Sequence, residues 1–140
     1  MKVLHFAALA LLSVPAFAVD TPPPAHITPN ATVYVAPRDD GFDTDLKAAI
    51  LKKHVPLVLI DDQGKAEYVI KGAGTIQHAG WAKTMFVSPL PEVHANIVLT
   101  DKNGAILYAY SVDKNSARKG LQSAAEACAK HLKEDIEKGK

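Results

Sequence analysis

Two segments of this chain carry apolar residues at helical spacing, and in each segment those residues lie on one side only. The first runs from Asp43 to His54. The second begins after a cap at Asn115 or Ser116. Its apolar positions recur every three or four residues, at Leu121, Ala125, Cys128, Leu132 and Ile136. A helix with one apolar side buries that side against another layer. We therefore expect both helices to pack against a sheet.

Five segments rich in β-branched and aromatic residues supply that sheet. They are Thr32–Ala36, Leu57–Ile60, Tyr68–Ile76, Val93–Thr100 and Ala105–Val112. The segment 57–60 is apolar throughout, which predicts burial on both faces. The element order β-α-β-β-β-β-α predicts an α/β fold with two layers, in which a mixed five-stranded sheet carries two helices on one face. The first two strands should be parallel, because a helix connects them.

The periodicity also predicts which side chains form the core. They are Leu46, Ile50, Leu59, Ile70, Ile97, Leu99, Ile106, Tyr108, Leu121, Ala125, Cys128 and Leu132. Glycines inside a strand often mark either a bulge or the close approach of another element, and Gly72 and Gly74 lie inside the third strand. Cys128 is the only cysteine and can form no internal disulfide.

The first eighteen residues have the pattern of a secretory signal peptide. Lys2 precedes an apolar run, and Ala16-Phe17-Ala18 is a small-x-small cleavage site. The apolar run is too short to span a membrane. We expect cleavage between Ala18 and Val19, a mature chain without a transmembrane segment, and a periplasmic or extracellular location. The proline-rich residues 19–31 are expected to form a tether, and residues 32–140 a single domain.

The charge of the chain excludes one class of partner. The formal net charge is +1, and it falls to zero after cleavage because residues 1–18 contain Lys2 and no acid. A neutral domain lacks the basic surface that binds nucleic acid. We expect no nucleic-acid partner and no cofactor.

The segment Lys65-Ala66-Glu67-Tyr68-Val69-Ile70-Lys71-Gly72 and the later turn Thr100-Asp101-Lys102-Asn103-Gly104 support a resemblance. The chain resembles the small α/β envelope domain of the TolB N-terminal, curli-secretion (CsgG-like) and penicillin-binding-protein-activator lipoproteins. That resemblance implies an exported module without catalytic residues, which binds proteins or assembles. The chain lacks the lipidated N-terminal cysteine of the lipoprotein members.

Residue types that could support catalysis or metal binding are scattered. His54, His78, His94 and His131 have no tight ligand spacing, so we predict no metal site. Cys128 precedes His131 by three residues, but it lies in an apolar stripe, where a cysteine behaves as a small hydrophobe. We predict no catalytic residues. The acids around Asp40 and Asp43 are expected to form turns and helix caps.

The segment Gln77–Pro91 concentrates apolar side chains between two strands. Trp81, Met85 and Phe86, with Lys83 as a polar rim, are the predicted contact residues for another envelope protein. Alternatively, these side chains cover the sheet face that the helices leave open. The predicted function is an exported, non-enzymatic, protein-binding or assembly module. The alternative is a small-ligand or metal carrier that uses His78, Trp81 and His94.

Overall fold

The computed structural model of the chain describes residues 26–77, 91–115 and 119–139. Within them the order of elements is the predicted β-α-β-β-β-β-α. The elements are β1 (Thr32–Val35), α1 (Phe42–Lys52), β2 (Val58–Leu59), β3 (Tyr68–Gln77), β4 (Glu92–Asp101), β5 (Ile106–Asn115) and α2 (Gly120–Lys138).

The five strands form one mixed sheet in the order β2-β1-β3-β4-β5. Strand β1 is parallel to both β2 and β3, as expected when a helix connects β1 to β2. The strands β3, β4 and β5 are antiparallel. Gln77 pairs with Glu92, so β3 includes Gln77, which the sequence had placed in the loop.

Both helices pack on the same face of the sheet, and the glycines of β3 show why. A Cβ atom at Gly74 would lie 2.5 Å from Leu121 Cδ2 in α2 and 3.0 Å from Phe42 Cδ2 in α1. At Gly72, a Cβ atom would lie 2.8 Å from Phe42 Cε1. The missing side chains therefore make room for the first residue of α1, so of the two expected roles these glycines mark a close approach and not a bulge.

The core lies between this sheet face and the two helices. Most of the predicted core side chains are buried in it, including Leu46, Ile70, Leu99 and Leu132. Leu59, Tyr108 and Leu121 are half-buried and pack against the core from its margin. The core also extends to Ile27, inside the segment that was expected to form a tether.

Ile106 was predicted to be buried, and this is wrong: its side chain is 68% exposed. The cause is an irregularity in the pairing of β4 with β5. Leu99 pairs with Tyr108, but the next residue, Thr100, pairs with Ile106, so two steps along β5 match one along β4. A bulge of this kind reverses the alternation of faces. Tyr108 therefore faces the helices, and Ile106 faces away from them.

The prediction that β2 is buried on both faces is also wrong. Strand β2 has two residues and lies at the edge of the sheet, and Val58 is 47% exposed. The predicted cap of the last helix is wrong as well, because β5 continues to Asn115, which pairs with Glu92. The helix α2 begins at Gly120, and its N-cap residue Lys119 makes no side-chain cap bond.

Candidate functional site

The predicted contact residues lie outside the described part of the chain. Trp81, Lys83, Met85 and Phe86 all fall in residues 78–90, and so does His78. The prediction that they form a contact surface or a cover for the sheet therefore stays a prediction. The space beside Gly72 and Gly74 on the helix side is filled by Phe42 and Leu121.

His94 is a predicted carrier residue that the structure describes. It lies on the sheet face opposite the helices, and its Nδ1 contacts Asp113 Oδ1 of β5. Thr75 is its cross-strand neighbour in β3. A hydroxyl, an imidazole and a carboxylate thus lie in one row, the residue types of an acyl-transfer triad. No hydrogen bond joins Thr75 to His94 among the described residues, so the hydroxyl and the imidazole are not connected as they are in such a triad.

A metal site is not assembled in the described residues. No three side chains of histidine, cysteine, aspartate or glutamate come together there in an arrangement that could hold an ion. His131 lies in α2, where its ring stacks on Tyr110 with centroids 4.4 Å apart and its Nδ1 is 3.3 Å from Glu134 Oε2. His94 and His131 thus each have a carboxylate neighbour of their own.

Cys128 is fully buried in the core. Burial disfavours the charged thiolate and raises the pKa of the thiol to about 12. A nucleophilic cysteine needs exposure and a lowered pKa, and Cys128 has neither.

The acids near the start of α1 form turns, as the sequence predicted, but the predicted capping is wrong, because the N-cap residue of α1 is Gly41 and no side chain makes a cap bond there. Asp40 Oδ1 accepts the Phe42 N–H at 3.0 Å, and Asp40 Oδ2 accepts the Gly74 N–H at 3.4 Å. The bond from Phe42 is the main reason that the pKa of Asp40 is lowered. Asp43 Oδ1 accepts the Arg38 N–H at 3.3 Å. Asp40 therefore links the start of α1 to β3.

The sheet face away from α1 and α2 is hereafter the open face, and no described helix covers it. Tyr34, Val69, Thr100 and Ile106 are cross-strand neighbours there, and they form a row across four strands. We call these four residues the open-face row. The first three are half-buried, whereas Ile106 is exposed. This row could not be predicted from the sequence, because the bulge that moves Ile106 to the open face has no signal in the local pattern.

A groove of about 410 Å³ adjoins the open-face row. Val69, Lys71, Thr100 and Lys102 are among the residues that line it. One wall is the turn that contains Gly64, whose N–H donates to Asp62 Oδ1 at 2.9 Å. This end of the open face is therefore mixed in character, with the apolar side chains of Val69 and Ile106 next to the polar residues that line the groove.

The outer edge of β5 is the second uncovered feature. Strand β5 is the last strand in the sheet order, so no described strand pairs with its outer side. Its backbone N–H and C=O groups on that side can pair with another strand. Because β5 has ten residues and β2 only two, β5 is the edge that could accept a long partner strand.

Comparison with known proteins supports the fold. No family model matches the chain, and no curated protein sequence matches it. Its structure is similar to a subunit of the PelC dodecamer from Paraburkholderia phytofirmans, with 18% identity, a TM-score of 0.51, and 81% of this chain and 90% of that chain covered. The chain shares the fold of PelC. At this identity the likeness establishes the fold alone.

Two further structures are less similar in shape. A minor lipoprotein from Acinetobacter baumannii has 11% identity and a TM-score of 0.45, over 79% of this chain and 94% of that chain. An uncharacterized lipoprotein B from Nitrosomonas europaea has 15% identity and a TM-score of 0.35, over 79% of each chain. The particular resemblance to TolB, curli-secretion or penicillin-binding-protein-activator proteins is not confirmed.

Within the part of the chain that the structure describes, neither α1 nor α2 is long and apolar enough to cross a membrane.

Proposed function

We propose that this chain is an exported, non-enzymatic module of the cell envelope that binds another protein through the open face of its sheet. The observation that carries the proposal is the open-face row, which ends in the exposed side chain of Ile106. Contiguous apolar side chains on a surface mark interaction sites more often than scattered ones do.

The energy available at this surface is concentrated near the bulge. Burying an aliphatic side chain the size of Ile106 contributes about 1.5–3 kcal/mol. Tyr34 supplies a ring with a polar end, a residue type that is enriched in interfaces. Lys71 and Lys102 at the groove provide the polar margin that surrounds the apolar centre of an interface. The arrangement is therefore suited to contact with a protein surface.

The export signal and the comparisons support the location and the type of function. A signal peptide at residues 1–18 directs the chain out of the cytoplasm. Two of the similar structures are lipoproteins, and the PelC structure is an assembly of twelve copies. Assembly with other proteins, or with its own copies, is consistent with a sheet whose second face has no described cover.

A pair of matched variants tests the proposal. Ile106 on the open face and Leu51 on α1 are exposed to similar extents, 68% and 64%. Tagged mature protein is used to capture partners from a native envelope extract. We expect Ile106→Ser to lose a partner that the wild type retains, and Leu51→Ser to keep it. Equal retention by both variants would contradict the proposal, provided that both unfold at the wild-type temperature.

The segment 78–90 provides a second arm of the same experiment. We propose that Trp81 and Phe86, with Met85 and Lys83 beside them, add to the contact surface. Replacing Trp81 and Phe86 by alanine should then abolish capture and leave the melting temperature nearly unchanged. If the double variant instead melts several degrees lower, the two side chains belong to the packed structure, because a loss of about 1 kcal/mol lowers Tm by about 4–8 °C in a domain of this size.

A further inference from the structure

The outer edge of β5, which pairs with no described strand, has features that block strand pairing at both ends and none in its middle. The bulge beside Leu107 distorts one end, and Asp113 and Lys114 place charges at the other. Bulges and edge charges are the devices by which proteins block the pairing of edge strands. The regular stretch between them, Tyr108–Val112, contains no proline and no charge. These five residues form an edge that accepts another strand.

The stretch Tyr108–Val112 sets requirements for the strand that pairs with it. On its helix side it presents Tyr108, Tyr110 and Val112, which are the cross-strand neighbours of buried residues in β4. On its open side it presents only the small residues Ala109 and Ser111. A suitable partner strand has apolar residues on the helix side and small residues on the other. The stretch itself has this pattern, and the pattern is symmetric about Tyr110.

We infer that β5 pairs antiparallel with β5 of a second copy, around a two-fold axis at Tyr110. This inference names the partner, and it rests on the proposal that the chain functions by binding protein. In this register Tyr110 lies opposite the partner's Tyr110, Tyr108 opposite the partner's Val112, and Ala109 opposite the partner's Ser111. Aromatic and β-branched cross-strand pairs of this kind stabilise sheets. The pairing joins two sheets of five strands into one of ten and leaves only β2 at the outer edges.

The position of α2 is compatible with this pairing. The helix packs over both β4 and β5. Strands are spaced about 4.8 Å apart, so a helix centred between β4 and β5 lies about 5 Å from the two-fold axis. The two copies of α2 are then about 10 Å apart, which is the distance at which two helices pack. A helix nearer the two-fold axis would collide with its copy, and a helix farther from the axis would leave a gap between the two copies.

The side chains of α2 that lie above β5 fit this approach. His131 stacks on Tyr110, so each copy brings a pair of rings to the axis. Glu134 Oε2 is 3.3 Å from His131 Nδ1, which gives the ring a polar partner within the same helix. Ala127 packs against the core beside them and is small enough to allow a neighbouring helix. Tyr108 and Tyr110, which are half-buried in one copy, become covered in the pair.

Disulfide trapping tests both the pairing and its register. Ala109 and Ser111 are exposed and face the same side. Mature Ala109→Cys and Ser111→Cys proteins are mixed, incubated so that subunits exchange, and mildly oxidised. In the proposed register Ala109 lies directly opposite the partner's Ser111, with the two Cα atoms about 4.5–5.5 Å apart, which a disulfide can bridge. A residue and the same residue of the partner are offset by two positions, and their Cα atoms are more than about 7 Å apart, which is too far for a disulfide. Cys128 stays in place because its thiol is buried.

We expect the mixture to form a covalent dimer and each variant alone to form little. As the matched control, Ala48→Cys, at an exposed position on α1, is mixed with Ser111→Cys in place of Ala109→Cys. This mixture should form no covalent dimer. Light scattering of the wild type should give the mass of a dimer. A monomer or a larger ring, or equal trapping with the Ala48 control, would overturn the inference. If a monomer still captures an envelope protein through Ile106, the proposed function stands and only the two-fold pairing fails.

Discussion

At the scale of single residues, the environment sets the chemistry of Cys128 and Asp40 in opposite directions. Cys128 is enclosed by the core, and burial raises the pKa of its thiol to about 12. Asp40 lies at the surface, and the N–H of Phe42, which donates to its carboxylate, lowers its pKa. Each shift follows from which protonation state the fold stabilises.

The Cys128 thiol should not react with a thiol reagent in the folded protein. At pH 8 a thiol with a pKa near 12 is ionised in roughly one molecule in ten thousand, and the core also blocks access. Labelling with a maleimide or with a disulfide reagent should be slow in buffer and rapid in denaturant. Rapid stoichiometric labelling of the native protein would show that α2 does not cover the sheet as described.

Asp40 should stabilise the fold, and its neighbour Asp39 provides the control. Replacing Asp40 by alanine removes the acceptor of the Phe42 and Gly74 N–H groups. We expect a loss of about 0.5–1.5 kcal/mol in the free energy of unfolding at pH 7, the usual net contribution of one intramolecular hydrogen bond. Asp39→Ala should change it by much less, since the pKa shift and these bonds belong to Asp40.

The pH dependence of this difference has a definite sign. The folded-state pKa of Asp40 is lowered, so its contribution is present above the unfolded pKa, near 4, and is lost as the pH falls through the lower folded value. Denaturant unfolding of the wild type and of Asp40→Ala at pH 7 and at decreasing pH should show the two stabilities converging in acid. A constant difference down to strongly acidic pH would contradict the assignment.

At the scale of elements, the contact between α1 and β3 explains why both helices lie on one face. Phe42 is fully buried, and its ring occupies the space that Gly72 and Gly74 leave free on the helix side of β3. Leu121 of α2 reaches the same glycine at position 74. The two glycines therefore determine how closely the helix layer approaches the sheet.

Replacing Gly72 by alanine should destabilise the protein. The new Cβ would lie 2.8 Å and 3.0 Å from two atoms of the rigid Phe42 ring. Overpacking of this kind costs about 1–3 kcal/mol. In a protein that already carries Phe42→Leu, the same Gly72→Ala change should cost less free energy of unfolding, because the two side chains are in contact. Gly64→Ala, in an exposed turn, is the control and should change the free energy of unfolding little. Additive effects of the Gly72 and Phe42 changes would refute the contact.

At the scale of the whole molecule, the domain has one covered and one open sheet face. The described helices bury the first, while Val58 and Ile106 remain exposed at opposite margins of the second. With a net charge close to zero, electrostatic attraction contributes little to a partner's approach. Binding at the open face or at the β5 edge would depend on apolar burial and on backbone pairing.

Export should remove residues 1–18. The small residues at positions 16 and 18 follow a short apolar run, and they predict a mature chain that starts at Val19. The intact mass of protein recovered from the exported fraction measures this directly. A mass that retains Met1–Ala18 would refute the export interpretation, and expression of the chain without those residues should keep it in the cytoplasm.

The sequence alone determined the order and type of the elements, because helical and strand periodicities are local properties of the chain. It also determined that Leu46, Leu99, Cys128 and Leu132 are buried. The tertiary structure decided which strands are edges and which face each residue of β5 occupies. The bulge near Leu107 reverses the alternation through pairing with β4, a distant segment. For that reason the exposure of Ile106, the open-face row and the free edge of β5 became visible only when the strands were paired.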